Sequence, residues 1–151
     1  MAESSNSRRK YSVLLVDDDP IVRDVVRAKL SASPDFEVIG EAADGRLALA
    51  QVEKLRPDVL LLDLLMPSLP GIEALQELSG KRNHGHTIVF SSAVGAQQIV
   101  QALQFGARGI LSKSRISNLE AAIRAVVTGK CNRAAASLPV RFRPWQPKDD
   151  H

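Results

Sequence analysis

PDVLLLDLLMPSLPG, residues 57–71, decides the fold. Val59 to Leu62 are apolar without alternation, the signature of a strand covered on both faces, as in the middle of a parallel sheet between layers of helices. Asp63 follows at once. It is therefore expected at the carboxyl end of the strand, the edge where open α/β sheets gather their ligands. Met66-Pro67 and Leu69-Pro70-Gly71 then stop the strand and release the backbone into a helix predicted to begin near Ile72. Taken alone, an Asp here could simply end a strand; the rest of the chain decides.

Strand and helix alternate on either side of this stretch. Val13 to Val16 is a β-branched run ending in Asp17-Asp18-Asp19-Pro20, where proline suits the first turn of a helix and acids suit its positive end. Ile21, Val22, Val25, Val26 and Leu30 recur at helical spacing, with Arg23, Asp24, Arg27 and Lys29 opposite, until Ser33-Pro34-Asp35. Phe36 to Ala42 reads as a second strand, and Asp44-Gly45 opens a helix carrying Leu47, Ala48, Ala50 and Leu55. Arg56-Pro57-Asp58 leads into the central strand. Beyond it, Ile72, Leu75 and Leu78 mark a short helix ending at Ser79-Gly80, Lys81 to Gly85 a polar connector, and Thr87 to Phe90 a fourth strand ending in Ser91-Ser92. Gln97 to Phe105 reads as a helix with Ile99, Val100, Leu103 and Phe105 inward, and Gly109 to Leu111 as a fifth strand ending at Ser112-Lys113. The last helix is predicted from a Ser117 cap through Leu119, Ala122, Ile123 and Val126 to Gly129. Five strands, each followed by a helix, predict an α/β fold: a doubly wound five-stranded parallel sheet of right-handed crossovers with helices on both faces.

Charge separates the patterned block from its flanks. Between Tyr11 and Gly129 there are 12 Lys+Arg against 14 Asp+Glu, and the flanks hold the other 8 basic and 3 acidic residues. The basic balance thus belongs to the ends and not to a binding face of the domain, which weakens a nucleic-acid reading. Residues 1–10 read as a disordered arm, 11–129 as the domain, and 130–151 as a disordered Pro- and Arg-containing tail with Arg133, Arg141, Arg143, Trp145 and Lys148. The single cysteine, Cys131, excludes an internal disulfide, and His84 and His86 read as loop residues rather than zinc ligands. No run approaches the roughly 18 to 20 apolar residues that span a bilayer, and no signal peptide is evident. A cytoplasmic protein is expected.

In such a sheet the carboxyl ends of all strands share one rim. Asp17, Asp18 and Asp19 follow the first strand, Asp63 the third, Ser91 and Ser92 the fourth, and Lys113 the fifth. Clustered carboxylates repel one another unless a hard cation sits among them, and carboxylate oxygens with water are what magnesium takes, usually shared with a phosphate. The group of residues reads as a site for Mg2+ and a phosphoryl group.

VLLVDDDPIVR at 13–23, PDVLLLDLLMPSLPG at 57–71, FSSA at 90–93 and FGARGILSK at 105–113 closely resemble the response-regulator receiver domain of two-component signalling. VDDDP and ARGILSKS look most like receivers of the LuxR-type, NarL-like class, although no helix-turn-helix pattern follows Gly129. The resemblance implies a flavodoxin-like (βα)5 fold with Asp63 as the phospho-accepting nucleophile. It also implies direct Mg2+ ligation by Asp18, a supporting role for Asp17 through water or hydrogen bonding, and a further ligand in the Leu65 backbone carbonyl. Lys113 would pair with phosphoryl oxygens, and Ser91, 22 positions before Lys113, would supply the hydroxyl that reorients on phosphorylation; Ser92 is one position too close. Asp19 becomes a helix N-terminal acid outside the metal shell.

Several positions depart from the family pattern. Ile110 stands where an aromatic ring usually accompanies the hydroxyl switch, and Ser114 follows Lys113 in place of proline, so a trans bond is expected there. Leu65 and Ala93, at positions that modulate attack by water on the aspartyl phosphate, are apolar, which implies slow self-dephosphorylation. The implied partners are a sensor histidine kinase or phosphotransfer protein, and a homodimer or downstream protein meeting the face of the fourth helix, fifth strand and fifth helix; neither nucleic acid nor membrane is expected to bind directly. A phosphoacceptor, not an enzyme with a small-molecule substrate, is expected. The alternatives are a receiver fold without phosphorylation, a truncated DNA-binding transcriptional regulator, and a magnesium phosphohydrolase of the haloacid dehalogenase class. The last needs Asp-x-Asp followed by Thr or Val; Asp17 and Asp19 have the spacing, but Pro20-Ile21 breaks the motif and Asp63 would be idle.

Overall fold

The strand predicted from the apolar run, β3 (Val59–Leu62), is buried at every position. In the computed structural model, which describes residues 10–66, 69–80 and 85–129, it lies in the middle of one five-stranded parallel sheet. The strands are ordered β2-β1-β3-β4-β5, where β1 is Tyr11–Val16, β2 Phe36–Ala42, β4 His86–Ser91 and β5 Gly109–Ser112. The helices are α1 (Pro20–Ser31), α2 (Gly45–Leu55), α3 (Gly71–Ser79), α4 (Ala96–Gln104) and α5 (Leu119–Val127). This is the doubly wound α/β architecture expected from the alternation.

The period of two along each strand sends neighbouring residues into two separate cores. Leu14, Val16, Leu60, Leu62, Val89 and Ile110 pack with α2, α3 and α4 on one face. Val13, Leu15, Leu61, Ile88, Phe90 and Leu111 pack with α1 and α5 on the other. A central strand therefore has no solvent face to mark with polar residues, and each fully buried aliphatic contributes about 1.5–3 kcal/mol by leaving water.

Some helix faces are rotated from those the sequence indicates. On α1, Val26 and Leu30 are buried and Val22 packs beside them, whereas Ile21 and Val25 are 71% and 50% exposed. On α2, Ala48 and Val52 turn inward with Leu49 and Leu55 against them, leaving Leu47 and Ala50 exposed. On α4, Ala102 takes the inward place expected of Val100, which is 45% exposed. Apolar residues outnumber the inward positions, so composition alone could not fix the rotation. On α5 the buried residues are those expected: Leu119, Ala122, Ile123 and Val126.

Local starts also differ. Ser117 does not cap α5: it lies in a 3-10 segment, Lys113–Asn118, whose first turn is capped by the Ser112 hydroxyl accepting from Ser114 N–H at 3.2 Å. Asn118 precedes α5 without a side-chain cap. His86 is the first residue of β4 and not a loop residue, with its Nδ1 2.6 Å from an Arg108 guanidinium nitrogen. Asp19, expected only as an acid at the helix start, caps α1 onto Ile21 N–H, and Asp44 caps α2 onto Leu47 N–H. No cis peptide occurs among the described residues, Lys113-Ser114 included. The arm before Lys10, Pro67, the connector residues Lys81 to His84, and the tail from Lys130 with Cys131 and Trp145 lie outside the described residues.

Gly71 shows how the central stretch turns. Its N–H donates to the Leu64 carbonyl at 3.1 Å, and a Cβ added to it would stand 2.2 Å from the Asp63 carbonyl oxygen and 2.6 Å from Leu64 Cα. Helix α3 can start directly against the strand exit only because no side chain intervenes. Gly71→Ala is expected to cost about 1–3 kcal/mol through this overlap. Gly80→Ala, whose methyl would meet nothing nearer than the Glu77 carbonyl at 3.8 Å, should leave stability nearly unchanged. Paired urea titrations check the contrast, and equal losses in the two variants would contradict it.

Candidate functional site

Because β1 and β3 are neighbours, their ends define one crevice. Val16 is in register with Leu62, so Asp17 and Asp63, the residues that follow, emerge level at the carboxyl rim. Both remain tied to the ladder: Asp63 N–H donates to the Val16 carbonyl at 2.9 Å and Asp17 N–H to the Ala42 carbonyl at 3.0 Å. Ser91 is in register with Ser112, which brings Ser91 and Lys113 to the same rim.

The side chains meet there. Asp63 is 4% exposed; its Oδ1 accepts from Ser91 Oγ at 2.8 Å and from Leu65 N–H at 3.0 Å. Lys113 Nζ donates to the other oxygen, Oδ2, at 3.1 Å and stands 2.6 Å from Asp17 Oδ2. Asp17 Oδ1 accepts from Asp19 N–H at 2.9 Å. A carboxylate has about four acceptor positions. Among the described residues three donors reach Asp63, which leaves capacity mainly on Oδ2, beside Asp17 and Lys113.

Charge at the site does not balance. Carboxylate oxygens of Asp17, Asp18 and Asp63 all lie within 4.8 Å of one another, a separation at which two unit charges repel by about 1–4 kcal/mol, according to how well water screens them. One ammonium answers three acids. Burial holds the Asp17 carboxyl above the usual Asp range, and the Asp63 charge adds to this, against the lowering pull of Lys113 and the Asp19 N–H. Burial works to lower the Lys113 ammonium, but its bonds to Asp17 and Asp63 outweigh that and hold it above the usual lysine value.

The donor set fits a hard divalent cation. All three groups are carboxylates; Asp18 is exposed at the rim, and Asp17 Oδ2 is buried with no hydrogen-bond donor beyond the Lys113 ion pair. Oxygen-only, anionic and partly open to water, the cluster matches what Mg2+ requires more closely than what zinc or a soft metal requires.

The family model for the response regulator receiver domain matches residues 13–124. The chain belongs to that family. This receiver is 37% identical over 136 residues to the nitrate/nitrite response regulator protein NarL of Escherichia coli, covering 89% of the chain and 63% of that relative. It is 36% identical over 139 residues to a protein-glutamate methylesterase/protein-glutamine glutaminase of Pyrococcus abyssi, covering 89% and 37%. The chain thus spans less than two thirds of the length of either relative. Among solved structures, a LuxR-family two-component response regulator from Aurantimonas superposes with a TM-score of 0.77 at 30% identity over 85% of this chain and 94% of that one.

The geometry distinguishes residues that sequence left adjacent. Ser91 Oγ, not that of exposed Ser92, bonds to Asp63. Asp19 turns away to cap α1, which removes the second acid an Asp-x-Asp phosphohydrolase would need. Leu65 meets the site through its N–H, while its side chain is 47% exposed. Two participants were missed: Arg23 donates to the Asp17 carbonyl, and Glu41 pairs with Arg23 at 3.0 Å. No short-range pattern marks them, since Arg23 reads only as part of the polar side of α1.

Lys113→Met removes the one cation shared by two buried acids. In metal-free buffer it is expected to lower the unfolding free energy by about 1.5–3 kcal/mol, and magnesium should stabilise this variant more than it stabilises the parent. Urea unfolding with and without MgCl2 measures both, and a variant as stable as the parent without metal would contradict the pairing.

Proposed function

We propose that Asp63 takes a phosphoryl group from a phosphohistidine on a sensor kinase or phosphotransfer protein. An Asp63 oxygen forms the new bond to phosphorus as the P–N bond breaks, its electron pair returning to the donor imidazole. Asp63 is held by Ser91 and Leu65 N–H on Oδ1, which orients the carboxylate and leaves Oδ2 for attack. Lys113, already between Asp17 and Asp63, pairs with the phosphoryl oxygens, where charge builds as transfer proceeds. The ligands proposed for Mg2+ are Asp18, Asp63 and the Leu65 carbonyl, with Asp17 acting through water or directly. When bound, the ion neutralises charge on the transferring oxygens. The observation that carries this reading is the convergence of Asp17, Asp63, Ser91 and Lys113, from four strands, at one rim of the sheet.

The output in this reading is a change of surface. A phosphoryl group adds about −1.5 to −2 charges and three acceptors; the Ser91 hydroxyl transfers its hydrogen bond from Asp63 to a phosphoryl oxygen. A cavity of about 550 Å³ lies beside Ser91, lined by Ala93, Val94, Ala96, Ile99 and Ile110, and it gives the β4–α4 connection room to follow. The α4–β5–α5 face, with Val100 exposed on α4, is the proposed surface for dimerisation or a downstream protein. No helix among the described residues is long and apolar enough to cross a membrane, and a cytoplasmic location is part of the proposal, as is a purely phosphoaccepting role.

Intact mass after acetyl phosphate and MgCl2 should show one added phosphoryl group on the parent and none on Asp63→Asn. An adduct that persists in the variant overturns the assignment. With Leu65 at the rim and Ala93 exposed, neither side chain can orient water for attack on the aspartyl phosphate. The phosphoprotein is expected to last minutes or longer in magnesium buffer and to decay faster in Leu65→Asn; decay of the parent within seconds contradicts this.

A further inference from the structure

The proposed chemistry leaves one well-placed cation unused. Arg23, the fourth residue of α1, donates one guanidinium N–H to the main-chain carbonyl of Asp17. Its Nε donates to Glu41 Oε1 at 3.0 Å. The second oxygen of Glu41 accepts from Arg27, one turn along α1. A carboxylate at the end of β2 is therefore shared by two guanidinium groups, which sets the plane of Arg23 and aims its fork at Asp17. With side chains only 18% and 29% exposed, Arg23 and Glu41 are sheltered from exchange with water.

The carbonyl that Arg23 holds belongs to the peptide between Asp17 and Asp18. That unit is planar, so orienting its oxygen also orients the Cα from which the Asp18 side chain leaves. Asp17 itself is fixed on the remaining sides by its N–H bond to the Ala42 carbonyl at 3.0 Å and by the Asp19 N–H on its Oδ1 at 2.9 Å. Of these contacts, only the Arg23 bond acts on the linkage that joins the two acids.

We propose that Arg23, oriented by Glu41, is a positioning residue for the cation site: it locks the Asp17–Asp18 peptide so that both carboxylates meet Asp63. The proposal rests on the reading of Asp17, Asp18 and Asp63 as cation ligands. Positioning and simple electrostatics make opposite demands. Removing a positive charge beside an acidic cluster should by itself tighten magnesium binding, whereas unlocking the peptide should weaken it. Outer contacts that orient metal ligands are commonly worth about 10–100-fold in affinity.

The test is calorimetric titration of the full chain with MgCl2, joined to amide hydrogen exchange of the metal-free protein. Arg23→Gln and Glu41→Gln should weaken magnesium about tenfold and speed exchange of the Asp19 N–H, with Arg23→Lys close to Arg23→Gln because an ammonium cannot serve both partners in one plane. Arg124→Gln, which breaks an ion pair with Asp35 just before β2, should leave both readings unchanged. Magnesium affinity equal to or tighter than that of the parent in Arg23→Gln overturns the proposal. If that variant does not fold, parental affinity in Arg23→Lys overturns it instead. Should the parent itself bind no magnesium, or Asp63→Asn bind as tightly as the parent, the cation-site reading fails, whatever the Arg23 variants do.

Discussion

The register between β1 and β3 is the constraint on which the site depends. Pairing Val16 with Leu62 places two acids, 46 positions apart in the chain, side by side at the end of a buried sheet. A slip of one residue would turn either acid's neighbours to the wrong core, because side chains alternate between faces. Two cores thus enforce the register more strictly than one would: Leu60 and Leu62 belong to one face and Val59 and Leu61 to the other. The repulsion among the acids costs far less than exposing either set of apolar residues, so packing dictates the arrangement and the carboxylates must find their counter-charge where they are.

The two rims of the sheet hold their acids differently. At the amino rim, Asp58 Oδ2 accepts from both Ser12 N–H at 2.8 Å and Ser12 Oγ at 3.1 Å, and Asp58 N–H donates to the same hydroxyl at 2.9 Å. That carboxylate is hydrogen-bonded by both donors and closes the β1–β3 seam. At the carboxyl rim, Asp17 Oδ2 is buried with an ammonium that it shares with Asp63. The same residue type stands apart and hydrogen-bonded at one end, and at the other is crowded, with three carboxylates within 4.8 Å of one another around one shared ammonium. Mutual repulsion at that spacing costs stability unless a further cation is bound.

Much of this was legible in the sequence because it rests on short-range signals. The unbroken run Val59–Leu62, the acids before α1, the Asp44-Gly45 turn and the carboxylates at strand ends each follow from period, turn chemistry or helix polarity. The rotation of α1, α2 and α4 was not legible: Ile21, Val25, Leu47 and Val100 satisfy the same helical spacing as the residues that are buried, and only the neighbouring strands decide between them. The Ser117 cap failed for a local reason, since Ser112 had already opened a 3-10 turn from the end of β5. Arg23 and Glu41 could not be found at all, as their pairing joins α1 to β2 across 18 positions and carries no periodic mark.

The placement of Lys113 and Ser91 also determines how a change at the site can travel. They end adjacent strands, and beyond each strand the backbone has only one ready path. Ser112 caps the turn that follows β5, so displacement of Lys113 bears on the segment leading into α5. Past Ser91 the chain crosses the cavity beside Ile110 before α4 begins, and α4 is anchored mainly through Ile99 and Ala102. A helix with few buried side chains yields more readily than a sheet packed on both faces. In the proposed reading, redistribution of charge around Asp63 would therefore be expressed along α4 and the entry to α5, while β1 and β3, which carry the acids, would stay fixed by the two cores that put them in register.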